Sequence, residues 1–168
     1  MEVKEDVSAP FAYGAGEGET VWFQPNRMTV KATADQTNGG FGLLESWIRA
    51  GSSPPLHVHH REDESFWVLE GRIRFRVGDE EILAGPGSFV FGPRDIPHTF
   101  VVEGGEDARM LTLLTPGGGE GYFVEGGREP EGPGLPPPGP PDVARLIALS
   151  PAYGSEILGP PLTPREAA

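Results

Sequence analysis

The amino-acid sequence predicts an all-β fold in which short antiparallel strands form a barrel or jelly roll. Apolar runs recur at intervals of roughly ten residues, a spacing typical of this fold class. The chain has 25 glycines and 19 prolines, and most of them stand between these runs, where they favour turns. Residues 72–77 alternate charged and apolar side chains, which is the pattern of a half-buried antiparallel strand. A chain of 168 residues is long enough for one domain with its own core.

Three segments are predicted along the chain. Residues 1–40 form an N-terminal arm with extra strands that pack on the barrel or on a partner chain. Residues 41–125 form the barrel itself. Residues 126–168 contain a linker rich in proline and glycine and then a short C-terminal helix. The predicted strands are 20–23, 27–32, 41–50, 66–69, 72–77, 81–83, 89–91, 98–102 and 109–114.

Two of these elements carry side-chain predictions. In the strand 72–77 the apolar residues face the core and the arginines face solvent or a partner; the inward residues are Ile73, Phe75 and Val77. The C-terminal helix is predicted over 143–149, with Asp142 as its N-cap. One face of this helix is apolar and is formed by Val143, Leu146 and Ile147. A helix this short needs to dock on the rest of the protein.

The net charge of −12 results from 25 acidic against 13 basic residues. A polyanion would be repelled and no cluster of Lys or Arg offsets this, so no nucleic-acid partner is expected. No apolar run reaches about 18 residues and no charged leader precedes an apolar run, so neither a membrane span nor a signal peptide is expected. The absence of cysteine excludes a disulfide framework and favours a cytoplasmic location.

The four histidines of the chain concentrate in two short stretches. His57, His59 and His60 lie together, and His98 follows a turn flanked by prolines. On an extended strand, His57 and His59 point to the same face with Cα atoms roughly 6.6 Å apart. A hairpin after them is expected to return Glu64 alongside, at the start of the next apolar run. His60 points outward by the same alternation.

Three imidazoles and one carboxylate suit a single divalent transition metal ion, which could be iron, manganese, nickel, copper or zinc. The four candidate ligands are His57, His59, Glu64 and His98. Because the chain has no cysteine, thiolate-ligated zinc and iron–sulfur clusters are excluded. The neighbouring acidic residues are interpreted as solvated charges on the turns; they are Glu62, Asp63 and Glu70. An apolar surround is expected to raise the pKa of Glu64.

The two histidine stretches resemble the two conserved motifs of the cupin superfamily. The first motif, Gly-x5-His-x-His-x4-Glu-x6-Gly, fits residues 51–71 without a gap. The second motif is Gly-x5-Pro-x-Gly-x2-His-x3-Asn, and its matching residues here are Gly87, Pro93 and His98. Asp95 stands in place of the motif's second glycine and Val102 in place of its asparagine. Within the superfamily, the chain resembles small single-domain cupins described as quercetin 2,3-dioxygenase-like.

This resemblance implies a cupin double-stranded β-helix that holds one metal ion, and a homodimer in which N-terminal strands contact the neighbouring subunit. It also implies a metal-dependent dioxygenase acting on an aromatic or flavonol-like small molecule, with Glu64 as the base toward a substrate hydroxyl. Side chains expected to line an apolar barrel pocket, or to fill the core beside it, are Phe66, Val68, Phe75, Phe89 and Phe100.

Two other functions are compatible with the same residues. A metal-dependent isomerase or hydrolase of a small polar substrate would be marked by Arg or Lys facing into the barrel, and strand alternation gives no convincing example. A non-catalytic cupin would use the pocket only to bind a small molecule. The fold by itself does not decide among these functions.

Overall fold

The computed structural model describes residues 8–165, so the outer ends of both predicted terminal segments lie outside the described residues. Strands dominate the described chain. The strands are β1 (Glu19–Phe23), β2 (Asn26–Ala32), β3 (Gly42–Ile48), β4 (Pro55–His59), β5 (Asp63–Glu70), β6 (Arg72–Val77), β7 (Glu80–Ala84), β8 (Phe89–Gly92), β9 (His98–Glu103), β10 (Ala108–Thr115) and β11 (Ser155–Pro161). Helices α1 (Glu120–Gly126) and α2 (Val143–Leu149), with a 3₁₀ turn at Ser150–Tyr153, stand between β10 and β11.

The strands form two antiparallel sheets that face each other. One sheet has six strands in the order β1-β2-β3-β10-β5-β8, and the other has five in the order β11-β4-β9-β6-β7. Buried and part-buried residues alternate along all of β3 and β10, as expected for strands with one face toward a core. The prediction of an all-β jelly-roll barrel is therefore confirmed.

The main core lies between the two inner faces. Its largest fully buried side chains include Phe66 on β5 and Phe75 on β6, whose ring centroids are 5.0 Å apart. Ile73, Phe75 and Val77 are all buried, as the alternation along β6 predicts. This core reaches the histidines, since Val77 pairs with His98 and the ring centroids of Phe66 and His98 are 6.1 Å apart.

The N-terminal strands extend the larger sheet. β1 pairs with β2, and β2 pairs with β3 of the same chain. The sequence predicts that these strands pack on the barrel or on a partner chain. In the structure they pair with the barrel strand β3. Phe23 and Met28 lie in a second apolar cluster, separate from the main core, together with Leu146 of α2.

The C-terminal segment is more structured than the sequence predicts. Helix α2 has the predicted bounds, and the Asp142 carboxylate accepts a hydrogen bond from the Arg145 amide at 3.0 Å. Leu146 is buried, but Val143 and Ile147 are exposed, so only the middle of the predicted apolar face docks. Helix α1 and strand β11 were not predicted, because Gly-rich and Pro-rich sequences indicate turns. β11 is an edge strand, where proline is tolerated.

Arg74 does not face solvent, which corrects the prediction for the arginines of β6. Its side chain is buried, and its Nε donates to Glu103 Oε1 at 2.7 Å. Its Nη2 donates to the backbone oxygen of Thr163 at 2.8 Å. The chain that follows β11 covers this outer face of the sheet, so a position that alternation assigns to the surface becomes buried.

Candidate metal centre

The four candidate ligands come from both sheets. His57 and His59 lie on β4, and His98 on the neighbouring β9 pairs directly with His57. Glu64 lies on β5, which belongs to the opposite sheet. The expected hairpin is therefore wrong, since β4 and β5 do not pair. Glu64 reaches the histidines across the inside of the barrel.

The ligand atoms of these four residues lie within 4.8 Å of one another. Glu64 Oε2 is 2.8 Å from His98 Nε2 and 3.1 Å from His59 Nε2. The His57 ring centroid lies 5.0 Å from that of His59 and 4.6 Å from that of His98. All four side chains thus converge on one point.

Each imidazole is held from behind through its Nδ1 atom. His57 Nδ1 lies 2.7 Å from the backbone oxygen of Pro55, and His98 Nδ1 lies 3.2 Å from that of Ile96. Because a carbonyl oxygen only accepts, these contacts assign the ring proton to Nδ1. His57 Nε2 is then left with a free lone pair on the side of the other three side chains, while His98 Nε2 forms a hydrogen bond with Glu64 Oε2 at 2.8 Å. Outer hydrogen bonds of this kind orient metal-binding imidazoles.

Glu62 holds the third imidazole. Its Oε1 lies 2.9 Å from His59 Nδ1, and the residue is only 4% exposed. The interpretation of Glu62 as a solvated turn charge is therefore wrong. The turn folds Glu62 inward beneath Gly119, where a Cβ atom would lie only 2.7 Å from the same carboxylate oxygen. The spacing of three residues between His59 and Glu62 is the only sequence signal for this contact.

The donor set fits a divalent transition metal. Three imidazole nitrogens and one carboxylate oxygen are ligands that iron, manganese, nickel, copper and zinc all accept. His59 Nε2 is buried, and within residues 8–165 no group forms a hydrogen bond with it, since its 3.1 Å contact with Glu64 does not have hydrogen-bond geometry. A buried nitrogen without a partner is costly, and a metal ion at the point of convergence would satisfy it.

Charge differs sharply among the four groups. Burial, reinforced by the neighbouring imidazoles of His98 and His59, lowers the pKa of His57 to about 3. Burial alone would lower the pKa of His59, but the Glu64 and Glu62 carboxylates raise it to about 10. Burial would likewise raise the pKa of Glu64, yet His59 and His98 hold it well below its usual range. The expected upward shift for Glu64 is therefore wrong, because its nearest neighbours are imidazoles.

His60 points away from this centre, as predicted. Its side chain is 48% exposed, and its Nδ1 lies 2.6 Å from Asp95 Oδ1. Its Nε2 lies 3.6 Å from Glu156 Oε2 on β11. Asp95 has a φ of 64°, so it adopts the left-handed conformation for which the second motif uses glycine.

The family follows from comparison with known proteins. Residues 47–114 match the family model described as Cupin domain, and this segment contains all four candidate ligands. The barrel is a cupin domain. Neither helix in the described part of this cupin has the length and apolarity that a membrane span requires.

Individual relatives of the cupin differ in what they are named for. The chain is 27% identical to quercetin 2,3-dioxygenase of Bacillus subtilis over 118 residues, which are 70% of this chain and 35% of that enzyme. It is 29% identical over 101 residues to the polyketide synthase CurC of Streptomyces cyaneus, covering 55% of this chain and 64% of CurC. Among solved structures, KdgF from Halomonas sp. aligns with a TM-score of 0.57 at 16% identity, covering 65% of this chain and 94% of KdgF.

The chain thus spans about a third of the Bacillus enzyme and under two thirds of CurC. The similarity to KdgF is at a level that shows the fold alone. These similarities do not assign the chain one reaction.

The candidate ligands lie at one end of an open cavity of about 290 Å³ in the cupin barrel. Phe66 and Phe100 line this cavity. Val68 and Phe75 do not reach it and are packed in the main core. Phe89 is 59% exposed on the outer side of β8, which corrects its assignment to the pocket. Val90 is the buried residue at this point of the strand, so the alternation of β8 is opposite to the expected one.

The far end of the cavity is built by segments outside the cupin motifs. Strands β1 and β2 contribute Phe23 and Met28, while α1 and α2 contribute Tyr122 and Leu146. Sequence alternation could not find these residues, because their contact with the barrel depends on how the two terminal segments fold back. Among the described residues that line the cavity, Glu64 is the only Asp, Glu, Lys or Arg residue.

Proposed function

We propose that this cupin is a metal-dependent dioxygenase that acts on an aromatic, flavonol-like small molecule. One observation carries the proposal: the same cavity has a four-ligand cluster at one end and apolar, aromatic walls without a Lys or Arg over the rest of its lining. A neutral, flat and largely apolar substrate fits such a cavity. The sequence similarity to the Bacillus quercetin 2,3-dioxygenase supports the same substrate class.

His57, His59, Glu64 and His98 are the proposed metal ligands. When bound, a divalent transition metal with four protein ligands would supply a Lewis-acidic centre with open positions for an oxygen atom. The protein's own contribution is to hold the ligands in place through Pro55, Glu62 and Ile96, as the Nδ1 contacts indicate.

Glu64 is the proposed base. Its low pKa keeps it ionised at neutral pH, so it is able to accept the proton of a substrate hydroxyl. Its Oε2 already faces His59 and His98, which leaves Oε1 as the proton acceptor. Phe66 and Phe100 form the adjacent wall, where they exclude water and offer ring faces to an aromatic substrate.

An isomerase or hydrolase of a small polar substrate is less well supported. Recognition of a small anion normally uses Arg or Lys, and neither residue type lines the described cavity. A non-catalytic binding role uses the same cavity and is separated from the dioxygenase only by measuring turnover.

We also propose that the protein forms a homodimer. Trp67 of β5 lies directly opposite Phe89 of β8, and both are exposed, as is Phe91. These three aromatic side chains form an uncharged patch on a chain whose net charge is −12, so two copies are able to meet there without like charges in contact. Light scattering coupled to size exclusion tests this, and a monomeric mass at high concentration would overturn it.

Elemental analysis of protein purified without chelator or affinity tag tests the main proposal, followed by oxygen uptake with a panel of flavonols. We expect one transition metal ion per chain and oxygen consumption with at least one flavonol. Stoichiometric metal without uptake would overturn the dioxygenase and favour the isomerase or binding functions. Absence of metal even after reconstitution would overturn the metal centre.

A further inference from the structure

Two of the hydroxyl-bearing residues that line the cavity lie on neighbouring strands of the larger sheet. Ser46 on β3 is 1% exposed and Thr112 on β10 is 3% exposed, and both line the cavity. Each is a buried position in the strict alternation of its strand, so each side chain faces the barrel interior. Neither hydroxyl has a hydrogen-bond partner within residues 8–165.

Two other buried hydroxyls of the described chain form hydrogen bonds with backbone oxygens. Thr99 Oγ1 donates to the backbone oxygen of Pro54 at 2.7 Å, and Ser150 Oγ donates to that of Leu146 at 2.7 Å. Ser46 Oγ and Thr112 Oγ1 are not among the fully buried atoms that lack a partner, so both are open to the cavity. A ligand in the cavity is therefore able to form hydrogen bonds with them.

The two hydroxyls extend in a line from the metal centre. Thr112 is paired with Phe66 across β10 and β5, and Glu64 is the next residue of β5 on the same face. Ser46 lies one strand further away, because Thr112 pairs with Leu44 and Ser46 is the next inward residue of β3. Diagonal neighbours of this kind lie roughly 7–8 Å apart, and each strand adds about 4.8 Å.

We propose that Ser46 and Thr112 form a second recognition point for the substrate, which binds an uncharged hydroxyl or carbonyl group. Thr112 would select ligands whose second polar group lies roughly 7–8 Å from the atom at the metal centre, and Ser46, one diagonal step further along the same line, would meet a group roughly 15 Å away. The group is uncharged because the cavity offers no opposite charge beside these hydroxyls. A hydroxyl both donates and accepts, so either polar group is able to pair with it. The inference rests on the proposed function in taking this cavity as the substrate site.

The test compares two ligands that differ by one hydroxyl, 2,6-dihydroxynaphthalene and 2-naphthol. Both have a hydroxyl that is able to approach the metal centre, but only the diol has a second one across the ring system. Affinity is measured by calorimetry on the full chain loaded with zinc, which has no redox chemistry. The variants are Ser46→Ala, Thr112→Val and the double variant. Thr29→Val is the matched control, since its hydroxyl is buried but pairs with Thr20 outside the cavity.

We expect the wild type to bind the diol more tightly than 2-naphthol. Thr112→Val and the double variant should reduce this preference by about 5–10-fold, the effect of one lost hydrogen bond, while Ser46→Ala, which lies beyond the reach of this diol, and Thr29→Val should retain it. Thr112→Ser keeps the hydroxyl and should restore the preference, which separates hydrogen bonding from packing. A preference that is absent from the wild type, or unchanged in the double variant, would overturn the recognition point.

These outcomes are distinct from those of the proposed function. A protein that fails to consume oxygen with flavonols, yet shows the variant-sensitive diol preference, would retain the recognition point and lose the dioxygenase. A protein that consumes oxygen with flavonols, but whose diol preference is unchanged in the double variant, would retain the dioxygenase and lose the recognition point.

Discussion

His59 and His60 are neighbours in the chain and have the same kind of partners, but they differ in environment. Each has one carboxylate at Nδ1, at 2.9 Å in Glu62 for His59 and at 2.6 Å in Asp95 for His60. Each has a second carboxylate near Nε2, at 3.1 Å for His59 and 3.6 Å for His60. The His59 cluster lies inside the barrel beside two further imidazoles, whereas the His60 cluster lies in solvent.

The comparison shows that contacts alone do not make a site. Both histidines have a raised pKa, to about 10 for His59, where the carboxylates act against burial. Water screens the exposed charges and solvates either protonation state of His60, so its contacts contribute little free energy. Inside the barrel the same contacts fix ring orientation and leave Nε2 aimed at a single point. Burial and convergence therefore distinguish the candidate centre from the surface cluster.

The largest effect is expected for His59→Ala. Removal of one of four ligands should reduce bound metal from near one ion per chain to background, while the barrel stays folded. His60→Ala is the matched control and should keep its metal. Elemental analysis after dialysis, with circular dichroism for the fold, measures both. Equal metal content in His59→Ala and the wild type would overturn the assignment of the centre.

Glu64→Gln should have the next largest effect, on turnover. The amide no longer accepts a proton, so oxygen uptake with a flavonol should fall by roughly 100-fold or more. Bound metal should largely remain, because three imidazoles and the amide oxygen are still present. Glu156→Gln, the corresponding change beside His60, should leave turnover unchanged. Full activity in Glu64→Gln would remove its role as base.

Glu62→Gln sharpens the comparison at the outer carboxylates. Loss of the charge behind His59 should weaken metal affinity by about 10–100-fold, the usual effect of such outer partners. Asp95→Asn makes the same change behind His60 and should not alter affinity. Competition with a chelator of known affinity measures both variants. Glu62→Asp retains the charge and should recover part of the lost metal affinity. Equal metal affinities in Glu62→Gln, Glu62→Asp and Asp95→Asn would show that Glu62 does not position His59.

The smallest effects are expected in the exposed cluster. His60→Ala removes contacts between solvated groups, and Asp95→Gly exchanges one such contact for a residue that prefers the observed φ. Both variants should melt within about 2 °C of the wild type by calorimetry. A larger drop in Tm would mean that the contact between His60 and Glu156 fastens β11 to the barrel.

Local sequence patterns predicted the features that depend on nearest neighbours along the chain. The strands followed from apolar runs between turns, and helix α2 from Asp142 and the residues after it. The metal candidates followed from spacing, since His57 and His59 share a face of one strand. Alternation also placed His60 outside and Phe66 inside. These predictions rest on covalent geometry, which is the same wherever the strand lies.

Only the tertiary structure determined which surfaces became covered. Arg74 is buried because the chain after β11 folds over it, and Glu62 is buried because the turn packs beneath Gly119. Phe89 is exposed because no described segment covers its side of β8. The far wall of the cavity unites residues as distant in sequence as Phe23 and Leu146. Burial depends on which distant segments meet, and strand periodicity contains no information about those meetings.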